Sequence, residues 1–320
     1  MDPRIREWQF VDLPTEKLSC NRNAAAPRTP VVLVSAGSFN PPTYMHLRMC
    51  EVAVQELAQR GYDVWGCYLS PVADSYGKQG LAPTHHRVAM CRLATDGSHL
   101  IMVDDWEARQ PGYTRTLQVL RHVQAELGKL PWWDEATAAG SEAAAPADGA
   151  SCRDSRGSGD AVVAASSGSS SSSRSSSSSS SSQRGPTAGA DATQGGEQQR
   201  VRVMLLCGAD LLATMAAPGV WMEPAALLRE HGVVCVDRDG TELEQLLSGS
   251  GGSNVLSENR EAIIVVRDPV PNAISSTRVR AELEAGRSAA YLAPDAVLRY
   301  ARQHELYAGG TGGGSCGGGP

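Results

Sequence analysis

Short apolar runs that alternate with helix-like segments constrain this 320-residue chain more than any other feature. Runs such as 30–35, 202–207 and 232–236 are each bounded by polar loops and separated by longer stretches with helical patterning. A short, continuous apolar run is typical of a strand that is buried on both faces, as in a parallel sheet. Strands that alternate with helices in this way predict an α/β fold with a doubly wound, Rossmann-like parallel sheet.

Composition divides this pattern into two structured blocks. Residues 134–199 are rich in Ala, Gly and Ser and contain almost nothing apolar to bury. Such a segment cannot offset the entropy lost on ordering, so we predict a disordered insert. Residues 1–28 are expected to form a flexible leader, and residues 308–320 a flexible glycine-rich tail. The remaining blocks, 29–133 and 200–307, each have too few strands for an independent core, and we expect them to share one sheet as a single domain.

Charge, cysteine content and hydropathy narrow the class of protein. The net charge of -6 argues against a general nucleic-acid binder, so no nucleic-acid partner is expected. The eight cysteines contain no Cys-x-x-Cys pair, which favours free thiols in a reducing compartment over a zinc site or a disulfide scaffold. No apolar run approaches the roughly 20 residues needed to span a bilayer, and the acidic N-terminal segment fits no targeting signal. We therefore expect a cytoplasmic or nuclear protein without a membrane partner.

The loop after the first predicted strand has the composition of a phosphate-binding turn. In a doubly wound sheet, ligands bind at the carboxyl ends of the strands. Gly37 permits close approach of the backbone, and the helix that begins near Thr43 presents unpaired amides that favour an anion. His46 lies about one turn into this helix, so its imidazole can donate a hydrogen bond to a phosphate that gains charge. A structural turn with a packing histidine is the alternative interpretation.

A second candidate anion site lies at Ser276 and Thr277, where a predicted helix begins after the last strand. Their hydroxyls and the unpaired amides of the helix end can bind an anion, and Arg280 can grip two phosphate oxygens at once. Lys78, in a glycine-bounded loop after the second predicted strand, suits a cation that closes over a polyphosphate. An ordinary capped helix and a solvated lysine are the simpler interpretations of these features.

Six motifs follow one another in the same order as in a known family. They are Gly37–Met49, Ser70–Leu81, Asp105–Glu107, Leu205–Leu212, Pro218–Trp221 and Ile274–Arg280. Together they resemble the signatures of the eukaryotic nicotinamide mononucleotide adenylyltransferases of the nucleotidyltransferase superfamily, and residues 13–19 resemble the plant branch. The resemblance covers essentially both structured blocks. It implies a Rossmann-like nucleotidyltransferase domain that transfers AMP from ATP to nicotinamide mononucleotide (NMN), or to nicotinic acid mononucleotide, and releases pyrophosphate. The products would be NAD and deamido-NAD.

The resemblance also assigns roles to individual residues. It implies that ATP contacts Gly37, Ser38, Phe39, His46, Lys78, Gly208, Asp210, Ser276, Thr277 and Arg280. It implies that the mononucleotide contacts Tyr113, Thr116, Trp221 and Asn272, with the cationic nicotinamide ring stacked on Trp221. Tyr113 takes the place of a second aromatic residue that is usually tryptophan in relatives.

The chemistry implied by the family needs few catalytic groups. The attacking phosphate is already ionised, so no general base or covalent intermediate is required, and catalysis rests on positioning and charge stabilisation. His46, Lys78 and Arg280 are the catalytic candidates. No metal ligands of the protein itself are expected; Mg²⁺ would enter with ATP, held mostly by phosphates and water.

Two other classes of function remain open on the sequence. A related nucleotidyltransferase with another acceptor would share the first loop, although the turn at Trp221 resembles the NMN-specific branch. A non-catalytic nucleotide-binding or chaperone-like protein would retain ATP without forming pyrophosphate, although the complete set of His46, Lys78, Ser276 and Arg280 favours an enzyme. The resemblance further implies a tendency to form a homo-oligomer.

Overall fold

One parallel sheet organises the part of the chain that the structure describes. This computed structural model describes residues 13–19, 28–130, 201–237, 242–250, 254–270 and 272–308. The strands are β1 (Thr29–Gly37), β2 (Tyr62–Pro71), β3 (Ile101–Val103), β4 (Arg202–Gly208), β5 (Val233–Asp237) and β6 (Ile263–Arg267). Their order across the sheet is β3-β2-β1-β4-β5-β6, and all neighbouring pairs are parallel. The predicted α/β fold with a doubly wound parallel sheet is confirmed, and β1 and β4 join the strands of the two blocks.

Helices cover both faces of this sheet. They are α1 (Tyr44–Gln59), α2 (Thr84–Thr95), α3 (Thr116–Leu127), α4 (Ala209–Ala216), α5 (Pro224–Glu230), α6 (Glu242–Ser248), α7 (Val255–Glu258), α8 (Ser276–Glu284) and α9 (Asp295–Gln303). In β1, Val32 and Val34 belong to the same core as Leu120 of α3, whereas Leu33 belongs to the same core as Leu57 of α1. Because successive side chains of a strand point to opposite faces, one apolar strand supplies both cores.

The strand order creates a crevice at the centre of the sheet. The chain winds outward from β1 to β3 on one side and from β4 to β6 on the other. The connections that leave β1 and β4 therefore run in opposite directions, and a crevice opens between the carboxyl ends of these strands. This is the position at which open α/β sheets bind ligands. The loop that leads into α1 and the first turn of α4 both begin there.

Residues 13–19 depart from the flexible leader predicted for residues 1–28. Leu13 is buried in the core beside β2 and α3 residues. Lys17 Nζ donates hydrogen bonds to carbonyl oxygens at the end of α2 (2.8 Å) and at the start of β3 (3.0 Å). The segment is therefore held against the β3 side of the sheet. Its two leucines have no periodic pattern, so nothing local in the sequence indicated this packing.

Other predictions about the organisation of the chain fall outside the described residues. These are the rest of the leader, the insert at 134–199 and the tail beyond residue 308. Within the described part, each helix is too short or too polar to span a bilayer. The cysteines described there are buried free thiols, namely Cys50, Cys67, Cys91, Cys207 and Cys235.

Candidate active site

A cavity of about 530 Å³ opens at the carboxyl ends of β1 and β4. Its walls come from the loops after β1 and β2, the segment that leads into α3, the start of α4, the loop before α5 and the start of α8. All but one of the residues predicted for the site line it, namely Gly37, Ser38, Phe39, His46, Lys78, Tyr113, Thr116, Gly208, Asp210, Trp221, Ser276, Thr277 and Arg280. The fold therefore gathers residues from both blocks around one space.

Asn272 is the predicted residue that the structure does not bring to the cavity wall. Its side-chain amide donates to the Val270 carbonyl at 3.3 Å, and its Oδ1 accepts a hydrogen bond from the Ile274 amide at 3.3 Å. These short-range contacts shape the turn between β6 and α8. The side chain thus helps to position the start of α8, and its contact with the mononucleotide stays a prediction.

His46 is oriented by the first turn of α1. Its Nδ1 accepts a hydrogen bond from the Thr43 amide at 2.9 Å, and Thr43 Oγ1 lies 2.8 Å from the same nitrogen. A ring nitrogen that accepts carries no proton, so the neutral imidazole has its proton on Nε2. The edge of the Phe39 ring packs against the imidazole, with 5.1 Å between the ring centroids. His46 is therefore held in the cavity wall in the tautomer that donates through Nε2.

Asn40 joins three parts of the site. Its side-chain amide donates to the Gly80 carbonyl at 2.8 Å and its Oδ1 accepts from the Ala82 amide at 3.0 Å, which ties the loop after β1 to the loop that carries Lys78. The Tyr307 hydroxyl also donates to Asn40 Oδ1, at 2.6 Å. The residues predicted for the site do not include Asn40 or Tyr307, since their roles depend on contacts between residues far apart in the chain.

Arg87 is fully buried beneath the same two loops. Its guanidinium donates to the carbonyl oxygens of Ser38 (3.0 Å), Val72 (2.7 Å) and Ala82 (2.8 Å), and to Thr84 Oγ1 (2.9 Å). A buried cation requires such partners, and these acceptors lie in both loops. Arg87 therefore fixes the loop after β1 relative to the loop after β2.

The start of α8 is built against the loop after β1. Ser276 Oγ donates to the Pro41 carbonyl at 2.8 Å, and Arg280 Nη1 donates to the Asn40 carbonyl at 2.8 Å. The hydroxyl proton of Ser276 therefore forms a hydrogen bond within the protein. An anion at this helix end can be held by the backbone amides and by the remaining donors of Arg280, and the contact with the Ser276 hydroxyl stays a prediction.

Asp210 lies in the first turn of α4, directly above Gly208. A Cβ atom on Gly208 would come within 2.6 Å of Asp210 Oδ1, so the absence of a side chain makes room for this carboxylate. The helix dipole favours a negative charge at this end of a helix. Asp210 is thereby positioned in the cavity wall as a hydrogen-bond acceptor, which suits the contact with ATP predicted for it.

Aromatic side chains form another part of the wall. Tyr113 stacks on Tyr76, with 6.2 Å between centroids and 22° between ring planes. Trp221 Nε1 donates to Thr214 Oγ1 at 2.8 Å, which fixes the orientation of the indole. Tyr76 was not predicted, because it ends a short 3₁₀ helix, Asp74–Tyr76, that is far from Tyr113 in the sequence. Both predicted aromatic residues are available to a planar ring in the cavity.

Glu107 is a buried carboxyl group in the same wall. Burial raises the pKa of Glu107 to about 8, and the nearby Asp104 charge acts in the same direction, against the opposing effects of the Ser70 hydroxyl and Arg87. The group is therefore mostly neutral at physiological pH. A neutral carboxyl group does not repel an anionic ligand as a carboxylate would.

The family of the chain follows from its similarity to known proteins. Residues 34–282 match the model of the cytidylyltransferase-like family. The chain is 36% identical to the nicotinamide/nicotinic acid mononucleotide adenylyltransferase of Arabidopsis thaliana, over 93% of this chain and 98% of that protein. It is 38% identical to the protein of the same name from Oryza sativa subsp. japonica, over 92% of this chain and 93% of that protein. The chain therefore belongs to the cytidylyltransferase-like nucleotidyltransferases and, within them, to the nicotinamide/nicotinic acid mononucleotide adenylyltransferase family.

Proposed function

We propose that this chain transfers AMP from ATP to NMN or nicotinic acid mononucleotide, forming NAD or deamido-NAD and pyrophosphate. One observation carries the proposal: a single cavity combines His46, Lys78 and Arg280, which suit a polyphosphate, with Tyr113 and Trp221, which suit a pyridinium ring. Membership of the adenylyltransferase family supports the same reaction. The acceptor and the nucleotide would then lie side by side across the β1–β4 crevice.

The proposed step is an in-line displacement at the α-phosphorus of ATP. A bond forms between this phosphorus and a phosphate oxygen of the mononucleotide, while the bond to the bridging oxygen breaks and pyrophosphate leaves. His46, as an Nε2 donor, would stabilise the charge that develops on the α-phosphate oxygens. Lys78 and Arg280 would hold the leaving pyrophosphate. Catalysis then consists of positioning and charge stabilisation, because the nucleophile is already ionised.

We propose that a Mg²⁺ ion enters this site with ATP, as nucleotidyltransferases of this kind generally use a divalent ion. Over the described residues, no group of three or more His, Cys, Asp or Glu side chains is arranged to hold a metal ion. The acidic residues of the cavity wall, Glu107, Asp210 and Glu223, come from three separate segments. This set fits an ion held mainly by phosphate oxygens and water. Once bound, the ion would offset part of the phosphate charge.

We further propose a cytoplasmic or nuclear location and a homo-oligomeric state. Buried free thiols on several strands and helices suit a reducing compartment. Microscopy of a tagged full chain tests the location, and light scattering of the purified protein tests the assembly. An exclusively organellar or secreted protein, or a strict monomer, would contradict the respective proposal.

Product analysis with the purified full chain tests the reaction. With Mg²⁺, ATP and NMN, we expect NAD and pyrophosphate in equal amounts, and with nicotinic acid mononucleotide we expect deamido-NAD. Reactions without the acceptor are the control. Pyrophosphate release that depends on a different acceptor would identify a related nucleotidyltransferase. A folded protein that binds ATP and releases no pyrophosphate with any acceptor would instead be a binding protein.

Tyr307→Phe is expected to lower kcat/KM about three- to tenfold, the effect of one neutral hydrogen bond. Burial raises the pKa of Tyr307, so its hydroxyl keeps its proton and donates to Asn40. Tyr300→Phe is the matched control, because the Tyr300 hydroxyl contacts His86 at 3.0 Å and lies outside the cavity wall. Steady-state kinetics that show equal effects for the two variants would refute a specific role for Tyr307.

A further inference from the structure

An ion pair lies in the cavity wall beside the two aromatic residues proposed to hold the pyridine ring. Arg115 Nη1 lies 3.0 Å from Glu223 Oε2, and both side chains line the cavity. Arg115 follows Tyr113 by two residues, and Glu223 follows Trp221 by two residues. Each aromatic residue therefore has one member of the ion pair as a close neighbour in the chain. A substituent on a ring held by these aromatic residues would lie near the pair.

The ion pair is open enough to respond to a ligand. The side chains of Arg115 and Glu223 are 39% and 52% exposed, so water screens their attraction and the pair is weak. A guanidinium has several N–H donors, and within the described part of the chain this one is engaged through Nη1 with Glu223. Donors of Arg115 therefore remain for a group that enters the cavity.

The other cations of the described cavity wall come from other segments of the chain. Arg280 donates to the Asn40 carbonyl at the start of α8, and Lys78 lies in the loop that Asn40 holds through Gly80. Arg280 therefore belongs to the side of the cavity assigned to the phosphates, whereas Lys78 follows Tyr76, which stacks on Tyr113, by two residues. Arg115, the residue that precedes α3, is the cation of the described cavity wall that forms an ion pair with a carboxylate of the same wall.

The two acceptors differ in one group on the pyridine ring. Nicotinic acid mononucleotide carries a carboxylate, which only accepts hydrogen bonds and which a guanidinium can bind through two parallel N–H···O contacts. NMN carries a carboxamide, whose NH₂ group donates to a carboxylate. A glutamate side chain attracts the carboxamide of NMN and repels the carboxylate of nicotinic acid mononucleotide. An arginine side chain has the opposite preference.

We infer that the Arg115–Glu223 pair determines acceptor specificity: Arg115 binds the carboxylate of nicotinic acid mononucleotide, and Glu223 accepts a hydrogen bond from the carboxamide of NMN. This inference rests on the proposed function. It explains how one cavity serves both acceptors, because opening the weak ion pair exposes one partner for each. The member of the ion pair that does not bind the substrate stays in contact with water, so binding of either substrate leaves no buried charge without a partner.

The ratio of kcat/KM for nicotinic acid mononucleotide to kcat/KM for NMN tests the inference. Arg115→Gln is expected to lower this ratio about tenfold, the scale of a charged hydrogen bond that is partly exposed to water. Glu223→Gln is expected to raise the ratio about threefold or more, since it removes a repulsive charge and frees Arg115. Opposite shifts in the two variants cannot arise from a general loss of folding.

Arg121→Gln is the matched control. Arg121 lies on α3 and forms an ion pair with Glu230 of α5 at 2.6 Å, and neither residue lines the cavity. This variant also removes one arginine charge from an ion pair between the α3 and α5 regions, but away from the cavity. It should therefore change the ratio less than about twofold. A comparable shift in Arg121→Gln, or equal losses with both acceptors in Arg115→Gln, would overturn the inference and leave the proposed function intact. Failure of the parent protein to form either dinucleotide would instead overturn the proposed function.

Discussion

His46→Ala is expected to lower kcat for NAD formation at least about a hundredfold, the scale of one lost donor to developing charge. Its Nδ1 accepts from the Thr43 amide, so the proton lies on Nε2, where it is available for the proposed hydrogen bond to the reacting phosphate. Because this interaction strengthens in the transition state, kcat should fall far more than the affinity for ATP. Steady-state kinetics and a direct measurement of ATP binding separate the two effects.

The matched control for this variant is His99→Ala. His99 is exposed and does not line the cavity, so its removal should leave kcat within about twofold of the parent. If His46→Ala retained more than about a tenth of the parent kcat, the contact with Thr43 would be structural. The donor to the phosphate would then have to be sought among Lys78, Arg280 and the backbone amides.

Arg87→Met should lower the free energy of unfolding by about 3–5 kcal/mol, the usual cost of removing one member of a buried polar network. Arg87 donates to carbonyl oxygens of Ser38, Val72 and Ala82, and methionine cannot replace these hydrogen bonds. Buried carbonyl groups without a hydrogen-bond partner lower the stability of the folded state, and the loops after β1 and β2 lose the side chain that holds them together. Urea denaturation measures the loss, and activity at low temperature should fall as well.

Arg92→Met provides the comparison on the same helix. Arg92 forms an ion pair with Asp105 at 2.8 Å, but its side chain is 41% exposed and Asp105 keeps a second partner in Arg109 at 3.1 Å. Its replacement should cost about 1 kcal/mol or less. If the two variants lost equal stability, the hydrogen bonds of Arg87 would contribute no more than a surface ion pair, and its role beneath the loops would be refuted.

Local sequence was sufficient to predict the alternation of strands and helices and thirteen of the residues that line the cavity. Strand β1 is a continuous apolar run, and the loop and helix that follow it carry Gly37, Thr43 and His46 within one short stretch. Strand ends in a doubly wound sheet meet at one edge, so residues placed just after β1 and β4 converge without knowledge of any individual contact. For the same reason Asp210 could be assigned to the cavity.

Contacts between distant segments could not be predicted in this way. Tyr307 reaches Asn40 across 267 positions of sequence, and Arg115 meets Glu223 across 108. Nothing in the local pattern around either residue indicates its partner. The contact of the Ser276 hydroxyl with the Pro41 carbonyl is a further example, since the residues around a helix-start serine do not indicate this acceptor.

The sequence by itself determined the parallel sheet and the family to which the chain belongs, because apolar periodicity and contiguous motifs are properties of neighbouring residues. Tertiary structure alone decided how Arg87 and Asn40 join the loops after β1 and β2. It also decided that residues 13–19 pack against the sheet. It further decided that Arg115 pairs with Glu223 in the cavity wall. The physical reason is that directional hydrogen bonds and ion pairs form only after burial of apolar surface has brought the segments together, and their partners depend on that geometry.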